Sequence, residues 1–424
     1  MAMIDHELRL VLNDELHGRP GMAVTAPCRI THLAFTVDDG GGEPLNAIAR
    51  LCDALGVKPP QAGAVHHTAE LQGGSLKYER HGEFYRISII ANGDGKPEAI
   101  ALLPLGWLDT LPGKRLVAIH THILAQSAPA PTLKSLAALF HDGEVAGSLV
   151  TRGGATLYTD FRIGDDGYTR MLVHDHGVQP LRLGRVARRI HEIETYRMMA
   201  LLAFPLARQL QKELGPLEKG LARTIDGMLA AQAPDEDARL LGELSHIARD
   251  VEEMSNRASY RFAAARAYAS LVAKRVAELG EERVANCQRL GVFLDRRFSP
   301  AMTTCQAVSD RIAGLAARTE RASNLLRTRV DIALEAQNQR LLRSMESRSR
   351  QQVMLQETVE GLSVVAISYY SIAIVSKVFE ALGPYIPALE SKSAMLVAIP
   401  IILGLVWLGL RRIHARVQRA VHRG

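Results

Sequence analysis

Aromatic residues make up only 5% of the 424 residues, and the four cysteines, Cys28, Cys52, Cys287 and Cys305, form no C-x-x-C pair. The cysteine pattern excludes a disulfide framework and a zinc ribbon, and suits reduced thiols in a cytoplasmic setting. The scarcity of aromatics argues against a nucleic-acid binder, which would interleave stacking rings with a basic face. Lys and Arg number 51 against 45 Asp and Glu, a balance of +6. Five arginines with no acid crowd residues 411–424, so the rest of the chain is near neutral and offers no stripe for a phosphate backbone. The start, MAMIDHELRL, has no basic stretch followed by an apolar one, so no cleavable secretory signal is expected. Also missing are G-x-S-x-G, H-E-x-x-H, a P-loop and any catalytic carboxylate spacing, so no enzyme is expected. Gly40-Gly41-Gly42 and Gly73-Gly74 lack the spacing that cradles phosphate and read as turns.

What is present divides at about residue 184. Residues 1–184 carry β-branched runs at Arg29–Val37, Tyr85–Ala91, Leu116–Leu124, Ser148–Thr151, Ala155–Ile163 and Thr169–Val173, which predict strands. Helical spacing appears at His6–Leu16, Asn46–Leu55 and Leu133–Phe140. An α+β or α/β cytoplasmic domain is expected there. From 185 to 355 Ala, Leu, Arg and Glu dominate. Pro205, Gly215-Pro216, Pro234 and Ser299-Pro300 predict helical pieces near 185–214, 216–231, 236–295 and 301–355. The third piece repeats apolar residues at four and three: Leu240, Leu244, Ile247, Val251, Met254 and Ala258, then Ala265, Tyr268, Val272 and Leu279. That is a heptad seam, and sixty residues of helix would span about 90 Å, so a stalk or long hairpin is expected. The fourth continues through Cys305, Val308, Ile312, Leu315, Ala322 and Leu326, and the seam suits an intramolecular pair or an intersubunit coiled coil equally.

Two apolar stretches lie within 356–410: Leu362–Leu382 and Ala394–Leu410. Each reaches the lower length that crosses about 30 Å of hydrocarbon. A transmembrane hairpin is therefore expected, 362–382 and 394–410, followed by a basic tail, 411–424. Arg340, Arg343, Arg348 and Arg350 before the first span and the arginines of the tail put both termini in the cytoplasm. Trp407 suits an interface, and the tail would also meet anionic headgroups.

Along the first span Gln356, Glu360, Ser363, Ile367, Tyr370, Ser371, Ile374 and Lys377 fall on one helical face. Such a stripe either lines a pore made by several copies or seals a helix interface through hydroxyls. A ring of Lys377 would repel cations, whereas Glu380 and Glu390 near the mouth would attract them. Twelve of the fifteen histidines precede residue 192. His120 with His122, and His174 with His176, share strand faces at i and i+2 and would offer two imidazoles each, with Asp175 beside the second pair. No third ligand follows from spacing, so a divalent cation is a candidate and no cofactor is fixed. His17 and Arg19 in HGRP would suit an anion. Glu192, Glu194, Tyr196 and Arg197 form a charged helical segment at the junction of the cytoplasmic domain and the stalk, most simply an ion-paired anchor.

HGRP at His17–Pro20, EIETYRMMALLAFPLAR at Glu192–Arg208, PAMTTC at Pro300–Cys305, LLRTRVDIALEAQNQRLLRSM at Leu325–Met345 and LQETVEGLSVVAISYY at Leu355–Tyr370 carry a resemblance over nearly the whole chain. The chain closely resembles a bacterial family of membrane-anchored proteins that has no established activity. The resemblance implies the bacterial inner membrane. The order of parts is also similar to the CorA-type divalent-cation channel superfamily, which implies a homo-oligomeric ring and ion passage. That superfamily ends its first span in Gly-Met-Asn, where this chain reads VFEALGP at Val378–Pro384. The departure puts Mg²⁺ selectivity in question and leaves a second expectation open: a membrane-anchored scaffold that presents its N-terminal domain to a cytoplasmic protein partner.

Overall fold

A computed structural model describes residues 6–9, 13, 21–37, 42–95, 97–140, 144–231, 233–382 and 392–421. The chain forms two compact units, residues 1–232 with 239–324, and residues 233–238 with 325–424. The compositional change near Gly184 falls inside the first of them. Most of the expected helix His6–Leu16, the HGRP motif, Gly40, Gly41 and the stretch 383–391 lie outside the described residues.

The first unit is built on a nine-stranded sheet in the order β2-β3-β4-β1-β5-β8-β7-β6-β9. Its strands are β1 (Cys28–Thr36), β2 (His66–Leu71), β3 (Gly74–Arg80), β4 (Phe84–Asn92), β5 (Lys114–Leu124), β6 (Ala146–Val150), β7 (Ala155–Ile163), β8 (Thr169–Asp175) and β9 (Glu282–Arg283). Neighbours run antiparallel except β5 and β8, which are parallel. Six of these strands answer to the β-branched runs. β2 and β3 do not, because HHTAEL and GSLKYER alternate polar and apolar residues and read as a solvated surface. The structure instead buries Lys77 and Glu79 of β3.

Helices cover both faces. On one, α1 (Pro44–Ala54), with Pro44 at its first turn, packs Leu45, Ile48 and Leu51 against Leu33, Ile87 and Ile89. Further along, α2 (Leu133–Leu139) starts with a reciprocal cap between Thr132 and Ser135 and sets Leu136 against Leu172. On the other face α3 (Pro180–Leu201) packs Val186, Ile190 and Ile193 against Ile30, Ile119 and Val173. Each such side chain contributes about 1.5–3 kcal/mol of burial. Parts of α5 (Pro234–Leu279) and α6 (Leu290–Leu382) join this core through Val272, Leu279, Phe293 and Leu294.

The helical breaks differ from those expected. Pro205 falls in the first turn of α4 (Ala203–Ala230), where its missing N–H is not needed, and Pro216 and Pro300 lie inside α4 and α6. Buried Leu214 and Leu221, and Phe298 and Ala301, hold these helices through the lost bond. The 236–295 piece is not one helix; it ends at Leu279, and Gly280 in the left-handed region begins the turn to β9. The seam residues from Leu240 to Ala258 and from Cys305 to Leu315 are buried within the single chain. Arg257 of α5 and Arg311 of α6 reach Glu213 and Glu218 of α4 at 3.0 and 2.8 Å, so the apolar repeat serves intramolecular helix packing.

In the second unit, α6 exposes most side chains between Arg327 and Val359, and α7 (Lys392–Val421) follows the undescribed stretch. Arg329 reaches Asp237 at 3.4 Å. Among the described residues one helix, within Leu290–Ala381, is long and apolar enough to cross a membrane. The apolar part of α7, Met395–Gly409, is shorter.

Gly184 of α3 lies under the segment that leads into β1. A Cβ there would stand 1.8 Å from the Met22 carbonyl oxygen, and Val24 N–H donates to Pro180 O at 3.0 Å. Gly184→Ala is expected to lift residues 21–25 and speed hydrogen exchange at the Val24 amide by about tenfold or more. Unchanged protection at Val24 would mean that the helix gives way instead.

Candidate functional site

The residues with the strongest chemical coupling meet where α3 crosses β3, β4 and β1. Antiparallel register sets Glu79 opposite Arg86, Lys77 opposite Ser88, and Ser88 opposite His32. Side chains alternate across a strand, so Lys77, Glu79, Arg86, Ser88 and His32 all face α3. From α3 come Arg188, the adjacent His191 and Glu192 about one helical turn on, and Thr195 about one turn further. Arg275 arrives from α5.

Glu192, 3% exposed, is the hub. It accepts Arg86 Nη2 at 3.2 Å and Arg275 Nε at 2.5 Å, and Arg188 Nε stands 3.3 Å away. Arg86 Nε donates to Glu79 Oε2 at 2.7 Å, and Lys77 Nζ lies 3.2 Å from Glu79 Oε1. Burial alone would raise the Glu79 pKa; the Arg86 and Lys77 charges override it and hold the carboxyl at about 2. Arg86 Nη1 is buried and has no hydrogen-bond partner.

Beside the ion pairs, the His32 and His191 rings stack with centroids 4.6 Å apart and planes 11° apart. His32 Nδ1 is 2.8 Å from Ser88 Oγ and its Nε2 is 3.2 Å from Thr195 Oγ1. His191 Nε2 is 2.8 Å from Thr121 Oγ1. Burial, with the Arg86 charge nearby, drives His191 down to about 3; burial, then the neighbouring His191 and Arg86 charges, takes His32 well below its ordinary value. Both imidazoles are therefore neutral at pH 7. Between them, the ion pairs and α3 lies a cavity of about 40 Å³, lined by His32, Lys77, Glu79, Arg86, Ser88 and Arg188 and, on its apolar side, by residues such as Ile30 and Ala187.

Of the residues singled out from sequence, Glu192 belongs to this cluster. Glu194 pairs with Arg197 at 2.6 Å, Arg197 lies over the Phe161 ring at 5.2 Å, and Tyr196 stacks on Tyr268 at 5.8 Å. The first histidine pair converges on one carboxylate, with His120 Nδ1 3.9 Å from Glu98 Oε2, and the second pair meets a hydroxyl and a backbone carbonyl. His122 Nε2 is 2.9 Å from Glu98 Oε1, and His120 stacks on Tyr168 and bonds Thr31 Oγ1 at 3.0 Å. His176 bonds Thr156 and the Gly153 carbonyl, its ring lies 5.0 Å from that of His174, and Asp175 caps the amides of Gly177 and Val178. Among the described residues no three His, Cys, Asp or Glu gather to hold a metal. His32, Lys77, Glu79, Arg86, Arg188 and Arg275 escaped the sequence reading, although a charge or imidazole in an otherwise apolar strand, as in CRITHLAFT and FYRISIIAN, is a usable sign.

In α6, Tyr370, Lys377 and Glu380 are exposed and Glu360, Ser363 and Ser371 half-buried. Ser363 Oγ donates to the Val359 carbonyl at 2.8 Å. The one buried polar residue on this stretch is Ser368, a quarter-turn from the expected stripe. Tyr370, Ile374, Lys377 and Val378 line a shallow open groove. Glu390 lies outside the described residues.

A family model described as "Protein of unknown function (DUF3422)" matches residues 4–417. No curated protein matches the chain.

Proposed function

The chain belongs to this family of unknown function, DUF3422, and since no activity comes with membership, we propose from its own residues that it is a homo-oligomeric protein of the bacterial inner membrane, built on CorA-like lines, that passes ions or regulates their passage. In this reading 362–382 and 394–410 form a hairpin with both chain ends in the cytoplasm, and divalent cations are the first ions to test. One observation carries it: α6 runs without a break into its apolar segment while leaving Leu334, Leu341, Leu342, Met345, Met354 and Leu355 exposed. Apolar residues open along a helix call for covering, and further copies of the same helix around an axis would cover them. Continuing along α6, Tyr370 and Lys377 then have neighbouring copies or the axis beside them.

The absent Gly-Met-Asn and the lone cation Lys377 favour a second reading, an anchored scaffold that binds a cytoplasmic protein. Flux of Mg²⁺, Co²⁺, Ni²⁺, Zn²⁺ and monovalent ions into proteoliposomes separates the two. Ion passage predicts flux above empty vesicles that Ser363→Leu or Tyr370→Leu changes severalfold. No flux for any ion in the panel sinks that reading and leaves the scaffold.

A further inference from the structure

We propose that the cavity between α3 and strands β1, β3 and β4 is a binding site for one small oxyanion, of the size of phosphate, bicarbonate or a short carboxylate. Its polar wall carries three cations, Lys77, Arg86 and Arg188, against one carboxylate, Glu79. Glu79 is engaged by Arg86 at 2.7 Å and Lys77 at 3.2 Å, and Arg86 and Arg188 also face Glu192 at 3.2 and 3.3 Å, so these three cations meet two carboxylates and one positive charge is left uncompensated. Arg86 is 4% exposed and two of its three nitrogens are used, while Nη1 is buried without a hydrogen-bond partner. A guanidinium N–H left without a partner in a low-dielectric wall is destabilising, and an oxyanion oxygen relieves it with a charge-assisted bond.

Size and access agree with this ligand class. About 40 Å³ accommodates roughly three waters by the same measure, or one compact anion in their place. Ser88, on the wall, adds a hydroxyl. The Arg188 side chain is 38% exposed and forms the rim from which an anion enters. The wall is unsuited to a metal cation, since its only carboxylate is held by two cations and both imidazoles spend their Nε2 on threonine hydroxyls.

The site is independent of ion passage and is tested without it. Isothermal titration of the full chain in detergent, with phosphate, bicarbonate and acetate against chloride at equal ionic strength, is expected to give saturable uptake of one equivalent per chain for at least one oxyanion. Arg188→Gln, at the half-exposed rim, and Lys77→Gln are each expected to weaken it about tenfold or more while near-ultraviolet dichroism stays native. The proposal is overturned if no oxyanion binds saturably at tens of millimolar. It also falls if both folded variants bind as tightly as the parent, or if a structure determined in phosphate holds only water in the cavity.

Discussion

Glu192→Ala is expected to lower the thermal midpoint of the sheet-bearing unit by roughly 5 °C, more than any substitution of an exposed ion pair. The carboxylate is 3% exposed and faces Arg86, Arg275 and Arg188. Removing it leaves the 4%-exposed Arg86 with Glu79 alone and strands Arg275 beside Glu278. Breaking a buried pair from one side costs about 3–5 kcal/mol, which in a domain of this size corresponds to a shift of that order. The internal control is Glu213→Ala, which removes a pair to Arg257 whose side chains are 35% and 37% exposed; its cost is expected to stay below about 1 kcal/mol. Thermal melts followed by near-ultraviolet dichroism compare the two. Equal, small shifts would show that Glu192 is not the hub of the fold.

Acidification has the second largest expected effect: the same unit loses stability as pH falls from 7 to 5. An imidazole whose folded pKa is depressed binds its proton only in the unfolded chain across the interval between the two values. Its contribution is complete above about 6.5 and is lost as pH drops towards the folded value, about 3 for His191. Each imidazole then adds a slope of up to about 1.4 kcal/mol per pH unit, and His32 and His191 act together. Glu79, held at about 2, adds a further loss in the same direction only below the ordinary carboxylate range. Midpoints measured at pH 7.5, 6 and 5 are expected to fall steeply, and His191→Gln, which keeps a partner for Thr121, to flatten the curve. A midpoint constant from pH 7 to 5 in the parent would contradict buried neutral imidazoles.

The strands carrying β-branched runs were legible because each buries both faces and therefore repeats apolar residues with little interruption. β3 was not. Lys77 and Glu79 alternate with Leu76 and Tyr78 as a half-solvated strand would, and nothing local says that the polar side meets α3 in place of water. Proline misled for the opposite reason. Its penalty is local and visible, whereas the apolar contacts of Leu214, Leu221, Phe298 and Ala301 that hold α4 and α6 through it are not. His120 and His122 lie on β5 as expected, whereas of the second pair only His174 lies in β8, which ends at Asp175, and His176 falls beyond it. Their neighbours in space, Glu98, Thr31, Tyr168 and Thr156, come from other elements and direct them towards hydrogen bonding and stacking.

By itself the sequence determined the sheet followed by long helices, the apolar segment in α6, the basic tail and membership of the family, because periodicity, hydropathy and long motifs are properties of contiguous residues. Only the tertiary structure decided that Glu192 is a hub, that His32 and His191 stack, and that three cations converge on one small cavity. Those facts depend on strand register and on which face α3 turns to the sheet, and residues as far apart as His32 and Arg275 acquire their chemistry only when folding removes the water between them and lets charge interact through a low dielectric.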